Sequence, residues 1–272
     1  GEMTDTLKSH EDSKDGHIRT SRVNGVMEMI IDRPSKLNGF TPKMFNELID
    51  AYKFFEEDPK LRCAVVTAEG ANFTAGLDLP KMSEHLSDDY LLAKDGDIDL
   101  FGLRAPYRKK PIIFAVKGIC FTLGIELMLG ADIVVAASNT RFAQIEVKRG
   151  LMPSCGATTR MVSRAGWGNA MRYLLTGDEF DAAAAQSFGF VQEVVDPGQE
   201  RLRAMALAKQ LCECAPLAIE AVIENARSSL TNGESVAHAA IGAAQRKLLN
   251  TQDFQEGVES FKQKRDAKFR GH

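Results

Sequence analysis

Two acids interrupt the apolar run FTLGIELMLGADIVVAA, which extends from Phe121 to Ala137: Glu126 and Asp132. A carboxylate in such company needs a partner, hydrogen bonds or a proton of its own, so Glu126 has either a structural partner or a chemical task. A second glutamate, Glu146, follows the apolar stretch RFAQI and precedes the Gly/Pro loop around GLMPSCG. Two further segments share an order of strand, small-residue turn and helix start. CAVVTAEGANFTAGLDL turns at Ala75-Gly76-Leu77, and FAVKGICFTLGIEL turns around Thr122-Leu123-Gly124. Backbone N–H groups at such a helix start lack intrahelical acceptors and can bind an anion or a developing oxyanion. Two such turns on adjacent strands would form a two-donor oxyanion hole. Two carboxylates converging beside it would move protons next to a thioester carbonyl.

Each element also has a purely structural reading. A glycine turn into a helix is usually a connection. Glu126 in a first helical turn suits the dipole and could pair with an arginine. Glu146 could pair at the surface with Lys148 or Arg149. Only the combination favours chemistry. Other chemistries lack their signatures: there is no Walker loop, no G-x-G-x-x-G after a strand, no H-E-x-x-H and no G-x-S-x-G. His10, His17, His85, His238 and His272 show no ligand spacing, so no metal site is expected.

The elements that must hold these residues are legible in outline. HIRTSRVNGVMEMIIDRP reads as two strands about the hairpin turn Asn24-Gly25, ended by Pro34. TPKMFNELIDAYKFFEED reads as a helix with Thr41 as N-cap, Pro42 at its first position and Met44, Leu48, Ala51 and Phe55 along one face. RCAVVTAEG, KPIIFAVKG, DIVVAAS and RFAQIEV are strand candidates separated by helical or polar segments, which implies mostly parallel β/α layers. After GLMPSCG the chain turns helical through ATTRMVSRAG, GNAMRYLLTG and DAAAAQSFG. A short strand, FVQEVVD, then leads into a long amphipathic stretch from Glu200 to about Ser229.

The 272 residues, 44% hydrophobic and 26% charged with a formal net charge of -3, describe an ordinary globular protein with no bulk attraction to nucleic acid. The polar opening is neither a signal peptide nor a membrane span. Met3 is expected as the native start, and residues 1–16 as a loose segment ahead of a core over 17–199 and a helical region over 200–272. Five scattered cysteines suggest reduced thiols and a cytoplasmic location.

With the marks RPSKLNGF, NFTAGLDL, GICFTLGIELMLGADIVVA, FAQIEVKRGLMPSCGATTR, LLTGDEFDAAAAQSFGFVQEVV and DFQEGVESFKQKR in order, the chain resembles the crotonase (enoyl-CoA hydratase/isomerase) superfamily from about His17 to its end. The resemblance implies an α/β fold, a crotonase-like repeated β-β-α spiral core with a C-terminal helical subdomain. It implies enoyl-CoA hydratase activity with Glu126 and Glu146 as the catalytic pair and the backbone N–H groups of Leu77 and Leu123 as the oxyanion hole. Lys36, Leu37, Ala75, Gly76, Asp78 and Leu79 would border coenzyme A, which is part of the substrate, so no separate cofactor is expected. The basic tail (Lys262, Lys264, Arg265, Lys268, Arg270) could meet its phosphates. The resemblance also implies a homotrimer or a dimer of trimers, with no nucleic-acid or membrane partner.

The chain departs from the family where a bulky Leu123 occupies a glycine-rich turn and where MPSCGATTR replaces a loop richer in glycine. Leu123, Met82, Phe101, Met152 and Trp167 are candidates to shape the acyl pocket. Rival readings are a Δ3-Δ2-enoyl-CoA isomerase, which needs one carboxylate, a non-catalytic acyl-CoA binder, and a structural oligomer whose glutamates pair with Arg149 or Arg160.

Overall fold

A computed structural model describes the backbone of residues 5–8 and, in full, residues 14–89 and 91–272. The chain enters through β1 (Asp5–Lys8), β2 (His17–Val23) and β3 (Val26–Asp32). The β2–β3 hairpin closes through Asn24 (φ +50°) and Gly25 (φ +82°). Both lie in the left-handed region that a tight two-residue turn requires. Of the segment read as loose, residues 1–4 and 9–13 lie outside the description. Asp5–Lys8 instead pair antiparallel with β2, and the Asp15 carbonyl accepts from the Thr41 hydroxyl at 2.6 Å.

Helix α1 (Pro42–Glu57) starts as expected, with the Thr41 side chain accepting from the Met44 N–H, and buries Met44, Phe45, Leu48, Ala51 and Phe55. β4 (Cys63–Ala68) and the short α2 (Leu79–Met82) follow. Next come β5 (Ile112–Val116), β6 (Ile119–Phe121), α3 (Leu123–Leu129), β7 (Ile133–Ala137) and β8 (Arg141–Ala143). β8 ends before Glu146, which opens a 3-10 turn, Glu146–Arg149. The chain then runs through α4 (Ala157–Ala165), α5 (Trp167–Leu174), β9 (Phe180–Asp181), α6 (Ala182–Ser187) and β10 (Glu193–Val195). It closes with α7 (Glu200–Cys212), α8 (Pro216–Asn232), α9 (Glu234–Leu249) and α10 (Gln252–Lys262). The single stretch expected from Glu200 is thus two helices. Pro216 lacks the N–H that continuation needs and holds Ala215 extended (ψ 118°). No helix among the described residues is long and apolar enough to cross a membrane.

A large sheet has the order β1-β2-β3-β4-β5-β7-β10 and is parallel from β3 onward. Its central strands are buried on both faces, as a covered parallel sheet requires. Cys63 and Val65 of β4 meet Ala204 and Ala208 of α7. Ala64 and Val66 point the other way into the main core with Phe45 and Phe55. A second sheet joins β6, β8 and β9 and is extended by the parallel bridges Phe40–Leu77 and Thr74–Cys120. Each coil of chain therefore lays one strand in the large sheet, one rung in the small sheet, and then a helix. The coils run β3, Phe40, α1; then β4, Thr74–Leu77, α2; then β5, β6, α3; then β7, β8 and the 3-10 turn. This is the repeated β-β-α spiral; within the helical stretch expected over 200–272, α7 packs on the large sheet and α8, α9 and α10 follow it.

Asp132, one of the two acids in the apolar run, has a structural task. It accepts from Arg108 Nη1 (2.6 Å) and Nη2 (3.0 Å) and from the Ile112 N–H (2.8 Å). The Arg108 side chain is 5% exposed, and a buried guanidinium left without its acid is strongly destabilising. Asp132→Ala is expected to lower the unfolding free energy by about 3 kcal/mol, seen as a lower urea midpoint at unchanged slope. A change below the error of the midpoint would disprove the assignment.

Candidate active site

The first turn rests on a platform built by the RPSKLN segment. Asn38, buried at φ +55°, donates from Nδ2 to the carbonyls of Glu69 (3.0 Å) and Asn72 (2.9 Å). Its own carbonyl accepts from the Thr74 hydroxyl at 2.6 Å. The Leu37 carbonyl accepts from the Ala75 N–H at 2.9 Å. Arg33 Nη1 donates to the Gly39 carbonyl (3.1 Å) and to Asp78 Oδ2 (2.8 Å), while Asp78 Oδ1 accepts from the Lys81 N–H to cap α2. Phe40 donates to the Gly76 carbonyl and accepts from the Asp78 N–H. In a parallel bridge the intervening residue faces the opposite edge, so the Leu77 N–H turns away from Phe40 and has no acceptor among the described residues.

The second turn lies directly alongside. Thr74 donates to the Ile119 carbonyl and its own carbonyl accepts from the Phe121 N–H, both at 3.0 Å. The first helical bond of α3 runs from the Glu126 N–H to the Thr122 carbonyl at 3.1 Å, which leaves the Leu123 N–H without an intrahelical acceptor. The turn is made by Thr122 at φ +48°, ψ −106°, a conformation that costs a residue with a side chain about 1–3 kcal/mol. Leu123 is already helical, so its bulk adds no backbone strain. A Cβ on Gly76 (φ +109°) would stand 2.0 Å from the Thr122 hydroxyl oxygen. Only glycine allows the turns to approach this closely.

Leu77, Leu123, Glu126 and Glu146 line one cavity of about 350 Å³. Glu126 is 3% exposed and forms no ion pair among the described residues. Its Oε2 accepts from the backbone N–H groups of Cys155 (2.6 Å) and Ala157 (3.1 Å). Burial pushes its pKa up to about 7, with the Glu146 charge adding to the rise and the two N–H donors opposing it. Burial also raises the pKa of the half-buried Glu146. The buried Gln144 amide lies 3.1 Å from both carboxylate oxygens of Glu146 and can donate to them only with its nitrogen on that side. Two protonatable carboxyls thus face one chamber beside two free backbone donors, an arrangement suited to general acid and base chemistry next to a developing oxyanion.

The arginine pairings considered for the glutamates do not form. Arg160 donates to the Phe101 and Gly102 carbonyls. Of the other expected positions, Ala75, Leu79 and Met152 line the cavity, whereas Lys36 and Leu37 are exposed and lie outside its lining. Gly76 is used in the contact with Thr122, and the Asp78 carboxylate in the contacts with Arg33 and Lys81. Met82 and Phe101 are core residues outside the lining, and Trp167 is 71% exposed. In the basic tail, Arg265 pairs with Glu256 at 2.7 Å. The sequence reading missed Gln144, Arg149, Leu86 and Leu91. The leucines sit in a polar stretch without periodicity, while Gln144 stands two residues from Glu146 in the quoted FAQIEV.

Residues 21–272 match the family model described as enoyl-CoA hydratase/isomerase. The chain is 34% identical over 260 residues to the carnitinyl-CoA dehydratase of Citrobacter koseri, covering 93% of this chain and 98% of that one. It is 31% identical over 250 residues to the 1,2-epoxyphenylacetyl-CoA isomerase of Escherichia coli K12, covering 91% and 95%. The crystal structure of a "probable enoyl-CoA hydratase/isomerase" from Mycobacterium abscessus superimposes with a TM-score of 0.90 at 40% identity, covering 94% of this chain and 98% of that one.

The raised pKa of Glu126 has a consequence for stability. The folded protein holds this proton more tightly than the unfolded chain, whose carboxyl titrates near 4.5. Stability from this group is therefore complete below that pH and is lost as pH rises through about 7. Between pH 5 and pH 8 the loss is about 2 kcal/mol. Glu126→Gln removes it, so urea denaturation should show the variant gaining on the parent protein across this range. Parallel pH curves for the two proteins would exclude a buried, proton-holding Glu126.

Proposed function

This chain belongs to the enoyl-CoA hydratase/isomerase family, and from that premise we propose that it adds water across the α,β double bond of a trans-2-enoyl-CoA thioester. One observation carries the reading: Glu126 and Glu146 line the same cavity as the Leu77 and Leu123 turns. The thioester oxygen accepts from the N–H groups of Leu77 and Leu123, so negative charge is stabilised where the enolate forms. A water held between the glutamates attacks Cβ and gives its proton to ionised Glu126. The double-bond electrons move toward the thioester carbonyl, and Cα takes a proton from protonated Glu146. Glu126 ends protonated and Glu146 ionised, and proton exchange resets the pair. A carboxyl titrating near neutrality suits the base role.

The adenine and arm of coenzyme A run along the edge formed by Leu37, Ala75, Gly76, Leu79 and the turn near Asp78, with Lys36 toward its phosphates. A Δ3-Δ2-enoyl-CoA isomerase needs one carboxylate, and the presence of two in the cavity favours hydration. The chain is also proposed to assemble as a trimer or a dimer of trimers. The exposed apolar residues Val222, Leu230, Ile241, Leu249 and Phe254, and Phe261 at 86% exposure, support burial of the C-terminal helices against further copies. A monomeric mass in solution would sink that part of the proposal.

Loss of the conjugated-thioester absorbance with trans-2-enoyl-CoA esters of short, medium and long chain tests the activity. Glu126→Gln and Glu146→Gln should each remove most of it. Gly76→Ala should cost about two to three powers of ten in kcat by displacing an oxyanion donor. Full activity in both glutamine variants would overturn the mechanism. Turnover of 3-enoyl-CoA alone would make the enzyme an isomerase.

A further inference from the structure

We infer that Arg149 reads the far end of the acyl chain, and that the esters this cavity favours carry a carboxylate there. The inference rests on the hydratase reading, since it takes Glu126 and Glu146 as the groups that address Cα and Cβ. Glu146 and Arg149 begin and end one 3-10 turn. At three residues per turn their side chains eclipse, and both line the cavity. The residues between them do not. Val147 is 40% exposed. Lys148 lies along Gly177, its Cε 3.0 Å from where a Cβ would stand there, and its charge acts on Asp178 and Glu179. Among the described residues Arg149 forms no ion pair and no side-chain hydrogen bond.

Leu86, Leu91, Leu151 and Met152 give the same cavity an apolar wall. Such a wall suits the methylenes of an acyl chain, but a terminal methyl gains nothing from a guanidinium. A terminal carboxylate gains a charge-assisted contact that the planar fork can make with both oxygens. Arg149 is exposed, so it marks the cavity mouth. A carboxylate reaches it only on a chain long enough to cross from the glutamates, and the preference should therefore grow with chain length.

The coenzyme A phosphates are a second source of negative charge near a cavity mouth, and matched esters separate the two. The parent protein, Arg149→Met and Arg149→Lys are compared on pairs of trans-2-enoyl-CoA esters of equal length ending in methyl or carboxylate. The readouts are kcat/KM and, by calorimetry, Kd for the saturated esters. The parent should favour the carboxylate-ended member of the longer pairs by roughly 10-fold to 100-fold, the size of a hydrogen bond to a charged group. Arg149→Met should collapse that ratio, and Arg149→Lys should keep part of it. An equal loss for both tails would assign the guanidinium to the phosphates or to cavity shape and overturn the inference, as would a parent preference for methyl ends. If neither ester turns over, the hydratase reading fails, while the ratio of Kd values still decides the role of Arg149.

Discussion

The contact between Gly76 and Thr122 sets how closely two turns of this chain can approach, and the rest of the site is arranged around it. Any Cβ at residue 76 would collide with the Thr122 hydroxyl, and Thr122 itself is held at a positive φ. Neither feature is stable in isolation. The turn before Gly76 is held by Asn38, which ties together Glu69, Asn72 and Thr74. The turn at Thr122 is held by its N–H bond to the Ala143 carbonyl at 2.9 Å and by a helix buried on every side. Strain concentrated at the site is offset by packing outside it.

Glu126 and Asp132 make the same point about charge. They lie six positions apart in one apolar run, but only Glu126 is buried, and Asp132 reaches the surface with its partner Arg108 buried beneath it. Asp132 receives the two-pronged guanidinium of Arg108 and behaves as a structural ion pair. Glu126 receives two backbone N–H groups and no cation, so its proton is held to near neutral pH. The difference follows from where each residue falls in the coil. Asp132 stands just before β7, beside the Arg108 loop, whereas Glu126 lies in the first turn of α3, facing the chamber.

The spiral explains why these groups share a chamber. Each coil passes from a rung of the small sheet into a helix, and each such junction leaves backbone N–H groups unpaired. Leu77, Leu123 and Glu146 occupy the equivalent junction in three consecutive coils. Stacking the coils in parallel register brings the junctions together, although they are spread over some seventy positions of chain. Gln144 and Arg149 lie at the same junction as Glu146.

Much of this was legible in the residues themselves. Hairpin chemistry at Asn24-Gly25, the cap at Thr41-Pro42 and the two glycine turns are local, because φ/ψ preference and hydrogen bonding over three or four residues decide them. The pairing of a buried glutamate with those turns picked out groups that line one cavity, and the order of marks from RPSKLN to DFQEGVESFKQKR marked the family. Tertiary structure alone decided the partners. Nothing local distinguishes Asp132, which meets an arginine, from Glu126, which does not. Met82, Phe101 and Trp167 are apolar residues of the kind that line pockets, yet they went to the core or the surface while Leu86 and Leu91 from a polar stretch formed the wall. Contacts between distant coils depend on register and stacking, and no short-range preference encodes either.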